Sequence, residues 1–497
     1  MKQFVSVFIG NLASFIVMSI KPLWKDFSYF EHQVTGIQWM LEKERTGTLV
    51  SARGSGQVLV RGGFQCDDMG LGKTIQMAGV MVNNPVKKTV LLAPLAMLDT
   101  WSSICKKIGM LVYEVDPKTK VWTLQNPEAG IPRHFMKCRA EVYISNYEKL
   151  YTAPELFRGE WDRAALDEAH KIRNGGGLVS IYARKLKAPL RWALTGTPLV
   201  NSLKDVVSLL AFIGVPTSAA YTWEPRYKLM LPHLLIHRSL DSLRSVIKDA
   251  PPVPEIHHMN LLFTTEAEEE FYHGVQGKTE SAQMKYRGEQ LSNSQKFLLL
   301  LRLRQISVHP QVYINSKRRE CIHYPRADWS TPSTKLEAVK TIMGGETDGQ
   351  VHKYIIFCQF NDEMSLIREY LLQENMAKDK NILLYHGMMN QVERRAVLEA
   401  SKASTETTVM LIQLQAGGVG LNLQEYDRVI FVSPWWTSAL MDQAIARAVR
   451  MGQTKVVKVY HLHLEAEQKD NINIDAMVNE KAEEKRIMLK KLFEWCM

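Results

Sequence analysis

From Phe27 onward, short apolar runs rich in β-branched residues alternate with longer stretches of helical periodicity, the rhythm of a parallel α/β layered fold. In the first half the pattern predicts strands at 89–93, 141–145 and 193–195. In the second half it predicts them at 353–358, 382–385, 409–412, 428–432 and 457–461. Between the halves, Ala250-Pro251-Pro252-Val253-Pro254 is a stiff extended stretch that cannot continue a helix, so a lobe boundary is expected there. Residues 264–308 read as helical, 316–319 as a small basic turn in a solvated loop, and 475–495 as an amphipathic charged helix expected to brace the lobes. The expected organisation is an apolar extension at 1–20, a first lobe at 21–250, a linker with a helical insertion at 251–340, a second lobe at 341–474 and the brace at 475–497.

Size and composition narrow this further. A chain of 497 residues is too long for one core and suits two domains. With 46% hydrophobic and 23% charged residues it resembles neither a disordered chain nor a polytopic membrane protein. The net charge of +10 suits a polyanionic partner. The six cysteines form no CxxC pair and no zinc-spaced cluster with histidine, which argues against a disulfide framework or a zinc module. Residues 4–20 are almost continuously apolar but fall short of the roughly 20 residues of a spanning helix. Gly10, Asn11 and Ser14 interrupt them, and no small-residue cleavage site follows. Residues 1–17 are therefore expected to be an upstream extension before Met18 rather than a membrane address.

The strongest local chemistry is Asp67-Asp68-Met69-Gly70-Leu71-Gly72-Lys73-Thr74, with a helical pattern starting at Ile75. Glycines let backbone amides close around phosphate oxygens, and a helix N-terminus adds the positive end of its dipole. Lys73 would reach the β- and γ-phosphates and the Thr74 hydroxyl would hold magnesium. Asp67 stands where the general phosphate-loop pattern has glycine. Downstream, Ala164-Ala165-Leu166-Asp167-Glu168-Ala169-His170 has the form of a buried strand ending in two carboxylates. Asp167 would hold magnesium through water, and Glu168 would orient and deprotonate the attacking water. Taken singly, a surface turn and an exposed helix are the plain alternatives. Together the two strings supply the anion cradle, metal ligand and base that phosphoryl transfer needs, so ATP and Mg2+ are the expected cofactors.

Over nearly all of residues 27–464 the chain resembles the Swi/Snf family of helicase superfamily two. Phe30-Glu31-His32-Gln33 with Gly36 and Trp39-Met40 resembles its adenine-reading segment, which makes Gln33 the base contact. Ala93-Pro94 with Trp101, and Ser145-Asn146-Tyr147, resemble the first-lobe elements that grip a DNA strand. Thr195-Gly196-Thr197-Pro198 with Asn201 resembles the motif coupling hydrolysis to lobe movement. In the second half His386-Gly387 with Arg394 and Ala416-Gly417-Gly418-Val419-Gly420-Leu421-Asn422-Leu423 match. So do Pro434-Trp435-Trp436 and the string Asp442-Gln443-Ala444-Ile445-Ala446-Arg447-Ala448-Val449-Arg450-Met451-Gly452-Gln453. The resemblance implies Arg447 and Arg450 as arginine fingers with Gln443 beside them at the nucleotide, and Gly418 and Gly420 as further nucleotide contacts. Two arginines solvating one helix face are the plain alternative. It further implies DNA contacts at Pro94, Ser145, Asn146, Thr197, His386, Gly387, Arg394, Gln415, Ala416, Gly417, Trp435 and Trp436.

Trp161-Asp162-Arg163, Trp39-Met40 and Leu301-Arg302-Leu303-Arg304-Gln305 with His309-Pro310 resemble the branch containing helicase-like transcription factor. That branch usually carries a zinc-binding RING before the second lobe; only Cys321 stands in that region, so ubiquitin-ligase activity is not expected. Gln413, Gln415 and Leu95 depart from the family at strand-contacting positions. The implied fold is α/β, two RecA-like parallel-sheet lobes with helical insertions. The implied function is ATP-dependent movement on duplex DNA that remodels protein–DNA, repair or transcription complexes. The partners would be double-stranded DNA, with nucleosomes or the transcription and replication machinery as candidates, and no membrane. The motor would be monomeric, placed in the nucleus or, for a viral member, the viral factory. An RNA- or transcription-complex-linked ATPase and a non-hydrolysing nucleotide-dependent DNA clamp are the alternatives.

Overall fold

A computed structural model describes residues 19–52, 56–128, 139–216, 224–247, 250–285, 292–346, 349–417, 421–465 and 473–496. The expected extension at 1–17 and the glycines Gly418 and Gly420 lie outside the described residues. The chain forms two compact units. One holds residues up to Leu199, Leu203–Ser245 and the end of the chain from Phe493; the other holds Val200–Ser202 and Val246–Leu492. Both are the α/β, parallel-sheet RecA-like kind, with helical insertions.

In the first unit the strands are β1 (Thr48–Ala52), β2 (Gly56–Gln65), β3 (Lys88–Leu92), β4 (Leu111–Val115), β5 (Trp122–Leu124), β6 (Glu141–Ser145), β7 (Arg163–Asp167), β8 (Leu190–Leu194) and β9 (Leu235–Ile236). Their order is β1-β2-β8-β7-β3-β6-β4-β5, with β9 also on β2. The strands from β2 to β4 run parallel, and only the outermost pairs are antiparallel. Every position of β7 is buried, because helices cover both faces of a parallel sheet. That is why the central strands read as continuous apolar runs. Arg163 is the exception in β7. Its guanidinium makes two 2.6 Å bonds to Glu44 on the helix Glu31–Thr46, and Trp192 Nε1 (2.9 Å) and Asn84 Nδ2 (2.7 Å) donate to the same carboxylate. The core around this pair is Met77, Met81, Leu91, Trp101, Trp192 and their neighbours.

The second unit has β10 (Glu255–Leu261), β11 (Lys353–Cys358), β12 (Ile382–Tyr385), β13 (Thr408–Gln413), β14 (Arg428–Phe431) and β15 (Lys458–Leu464), ordered β10-β15-β14-β11-β13-β12 and parallel throughout. A buried lysine ties its helices together. Lys335 Nζ contacts Asp475 Oδ2 (2.6 Å) at the start of the helix Ile474–Glu494, Ser433 Oγ (2.8 Å) and Ser307 Oγ (3.1 Å).

Each predicted strand has a counterpart within a few residues. The basic stretch at 316–319 does not form a turn. It is the last part of the helix Pro310–Glu320, started by Pro310 at the first helical position and capped by His309. Its charges are partnered: Lys317 with Glu320, Arg318 with Asp328, Arg319 with Asp362. Cations in a last helical turn also suit the helix dipole. Strands β1, β2, β4, β5, β9 and β10 were not foreseen. β10 pairs with β15 alone, at a sheet edge, so it needs no apolar run. β2 contains Gly62 because β8 passes so close that a Cβ there would stand 1.8 Å from the Arg191 carbonyl oxygen, and a glycine pair reads as a break rather than a strand. Among the described residues no helix is long and apolar enough to cross a membrane.

Candidate nucleotide site

β2 delivers the chain through Cys66 into the loop that precedes the helix Lys73–Asn83. Gly70 and Gly72 hold φ angles of +87° and +78°, which residues with a Cβ rarely adopt. A Cβ on Gly72 would come within 2.5 Å of Gln33 Nε2, whereas one on Gly70 would meet nothing within 4 Å, so the loop is backed on one side and open on the other. No side chain caps the helix that follows, which leaves its first amides available at the positive end of the dipole. Lys73 Nζ curls back to the carbonyl oxygens of Asp67 (2.6 Å) and Asp68 (3.1 Å). Thr74 takes the second helical position, half-buried. Met69 and Leu71 complete the loop, and Asp68 receives the Leu240 amide at 2.9 Å.

The departure at Asp67 has a structural reason. Its buried carboxylate is a hub: it pairs with Arg238, whose Nε lies 2.9 Å away, and accepts from Gln65 Nε2 (2.6 Å) and Gln76 Nε2 (2.9 Å). Arg238 also donates to Thr35 Oγ1 and Gln76 Oε1, both at 2.9 Å. A Cβ on Gly36 would lie 2.0 Å from that same Gln76 oxygen, so the glycine makes room for the hub. Gln33 Nε2 (3.4 Å) and His32 Nε2 (3.0 Å) meet the Leu71 carbonyl oxygen and brace the loop from behind.

β7 ends at Asp167, and Glu168 turns the chain with φ +51°. Both acids are nearly buried, at 5% and 8% exposure. Trp101 Nε1 donates to Asp167 Oδ2 at 2.7 Å, the Glu168 amide donates to Oδ1 at 3.0 Å, and the Tyr147 hydroxyl donates to the Asp167 carbonyl oxygen at 2.6 Å. Burial, and then the neighbouring Glu168 charge, push the Asp167 carboxyl up to about 6 against the pull of the Trp101 bond and of Lys73. Two confined acids with a lysine nearby fit a divalent cation and its phosphate. His170 Nδ1 lies 3.3 Å from Glu168 Oε2, 3.3 Å from Thr195 Oγ1 and 3.4 Å from Thr197 Oγ1, so the Thr195–Thr197 turn after β8 is wired to Glu168. A Cβ on Gly196, in the same turn, would lie 3.6 Å from Lys73 Nζ.

Trp101 and Tyr147, grouped by resemblance with strand-gripping elements, are buried and hydrogen-bond to Asp167. Pro94, Ser145 and Thr197 are also buried, while Asn146 is half-exposed. In the second unit His386 and Gly387 follow β12. The Gly387 amide donates to Gln413 Oε1 at 3.1 Å, and Arg394 Nη2 lies 3.2 Å from the Gly387 carbonyl oxygen. Gln415 is exposed, Ala416 half-buried, and Gly417 closes the short helix Leu414–Gly417. Trp435 and Trp436 are half-buried beneath the Arg304 guanidinium, at 4.7 and 5.6 Å from their ring centres. Gln443 is buried on the helix Ser438–Ile445. That helix ends before Arg447 and Arg450, and Arg447 is buried, so the two arginines do not line one solvated helix face. Arg238, Gln65 and Gln76 were missed by sequence reasoning. Arg238 stands 171 positions from Asp67 and carries no local signal.

The family described as SNF2-related domain matches residues 32–312, and the helicase conserved C-terminal domain matches 334–452. The "Probable global transactivator" of Orgyia pseudotsugata multicapsid polyhedrosis virus is 26% identical over 491 residues, covering 93% of this chain and 91% of that protein. An "Uncharacterized ATP-dependent helicase" of Mycoplasma pneumoniae is 27% identical over 420 residues, 81% of this chain and 38% of that protein. "DNA repair protein RAD5B" of Arabidopsis thaliana is 24% identical over 568 residues, 81% and 43%. The chain thus spans nearly all of the first relative and less than half of the other two. Among solved structures, a Sulfolobus solfataricus SWI2/SNF2 ATPase core in complex with dsDNA is 20% identical, covers 94% of this chain and 96% of its own, and has a TM-score of 0.39. The first of the two family matches extends over more than half of the sequence, and by it this chain belongs to the SNF2-related family and carries that family's helicase-like ATPase core.

Proposed function

We propose that this chain hydrolyses ATP with Mg2+ and uses the cycle to move along double-stranded DNA, remodelling protein–DNA complexes. One observation carries the reading: the phosphate loop after β2, the acids after β7 and the Thr195–Thr197 turn after β8 all lie at the carboxyl ends of neighbouring parallel strands, where α/β sheets bind their ligands. Lys73 would exchange its bonds with the Asp67 and Asp68 carbonyl oxygens for phosphate oxygens. Magnesium, when bound by Thr74 and Asp167, would neutralise charge on the phosphates. Glu168 would orient the attacking water, its carboxylate set by His170 and Thr195. Gln33 would contact the base, and Gln443, Arg447 and Arg450 the transferring phosphate. The net charge of +10 supports a salt-sensitive grip on DNA phosphates, which a motor indifferent to sequence requires.

Steady-state ATP hydrolysis tests this, with no nucleic acid, duplex DNA, single-stranded DNA or RNA, and Lys73→Ala as control. Strong stimulation by duplex DNA that disappears in the control is expected. Stimulation by RNA alone points to an RNA-linked ATPase, and no turnover at all points to a nucleotide-dependent clamp; either result overturns the translocase reading.

A further inference from the structure

Away from the nucleotide site, the second unit contains a cavity of about 260 Å3 walled by Phe271, Tyr313, Tyr324 and Trp329. Phe271 lies on the helix Glu266–Lys285 and Tyr313 on the helix Pro310–Glu320. Tyr324 and Trp329 belong to the segment after it, which has neither helix nor strand. The Phe271 ring is 5.6 Å from Tyr313, edge to face, and 5.9 Å from Trp329. Trp329 is held in place by its amide, which donates to Gln311 Oε1 at 2.6 Å. Its own Nε1 is buried without a hydrogen-bond partner among the described residues.

One cation is already inside. The Arg326 guanidinium lies 3.5 Å from the Phe271 ring centre. Among the described residues that guanidinium makes no hydrogen bond or ion pair, and its one cation–π contact is with the Phe271 face. Arg326 is exposed, on an irregular segment, and can leave without breaking an element. Gly274 borders the cavity, and a Cβ there would meet nothing within 4 Å, so the mouth is open. The charged residues at the rim, Glu270 and Lys278, are both exposed and carry opposite charges.

We infer that this aromatic cage binds a methylated ammonium group, the side chain of a methylated lysine on a partner protein, and that Arg326 is its internal placeholder. Ring faces attract cations through their quadrupole, most effectively when the cation sheds little water on entry. A bare ammonium has three N–H donors that need acceptors, and the lining side chains offer only the Glu270 carboxylate at the exposed rim and the two tyrosine hydroxyls beside the aromatic faces. Methylation removes those donors and keeps the charge. The inference does not depend on the ATPase reading.

The test is ligand-observed NMR titration of the whole chain with Nε-trimethyl-lysine amide, lysine amide and arginine amide. The trimethylated form should bind about threefold to fivefold more tightly than lysine amide, the range of one exposed cation–π contact. Arg326→Ala should tighten it by a similar factor, and Trp329→Leu, which keeps apolar bulk but removes the indole face, should abolish the preference. Equal affinity for the methylated and bare lysine in both the native chain and Arg326→Ala overturns the inference. So does tighter binding of arginine amide, which would make the cage a guanidinium site. Because Arg326→Ala is a gain of affinity at an exposed residue, its outcome does not depend on how Trp329→Leu folds.

Discussion

Trp101→Phe isolates the bond that orients Asp167, the carboxylate proposed to hold magnesium. The indole N–H lies 2.7 Å from Asp167 Oδ2, the indole fully buried and the acid at 5% exposure. Among the described residues it is the only side-chain donor to that carboxylate; the other donor is the Glu168 amide at 3.0 Å. A hydrogen bond to a charged group contributes about 1.5–3 kcal/mol, and removing one partner leaves Oδ2 buried and unsatisfied. At about 1.4 kcal/mol per decade, the loss corresponds to roughly tenfold to hundredfold in kcat/KM for MgATP. The carboxylate would rotate off its axis before any wider change, so the concentration of Mg2+ needed for half-maximal rate should rise with the fall in kcat/KM. Steady-state hydrolysis across a Mg2+ series reads both, and near-ultraviolet circular dichroism checks that the aromatic core is intact. A folded variant whose Mg2+ dependence and kcat/KM stay within twofold of the native chain would refute the reasoning.

Three further outcomes follow from the geometry. Glu44→Gln strands the buried Arg163 guanidinium and should destabilise the first unit by about 3–5 kcal/mol, whereas Glu44→Leu with Arg163→Met removes both charges and should cost less, leaving the Trp192 and Asn84 donors without their acceptor; hydrogen exchange of β7 amides measures both, and the double variant exchanging faster than the single one would contradict the account. Burial holds His309 down at about 4 and His461 at about 3, below their ordinary value near 6.5, so the unfolded chain binds more protons in between. Stability should therefore be full above pH 6.5 and fall on acidification toward pH 4, by up to about 1.4 kcal/mol per pH unit for each histidine; urea denaturation at stepped pH should show this slope reduced in His309→Asn, and an unchanged slope counts against it. Gly36→Ala places a Cβ 2.0 Å from Gln76 Oε1 and 2.6 Å from Arg238 Nη2, so the hub under Asp67 must shift. Affinity for an ATP analogue should drop about tenfold, a change of about 1.4 kcal/mol, while unaltered affinity would show the hub to be irrelevant to the loop.

What the sequence determined by itself is whatever short-range physics controls. Central strands such as β11, β13 and β14 stand out because a strand covered on both faces must be largely apolar. The phosphate loop stands out because its glycine conformations and its helix start are decided within eight residues. The tertiary structure decided everything that depends on partners far along the chain. It gave Asp67 its role as a hub through Arg238, set Trp101 and Tyr147 in hydrogen bonds to Asp167, and turned the polar stretch at 255–261 into an edge strand. It also set an arginine inside an aromatic cage whose walls come from two helices and the segment after them. A buried charge or hydrogen-bond donor is stabilised only by a specific atom within about 3 Å, and which atom that is follows from packing rather than from neighbours in sequence.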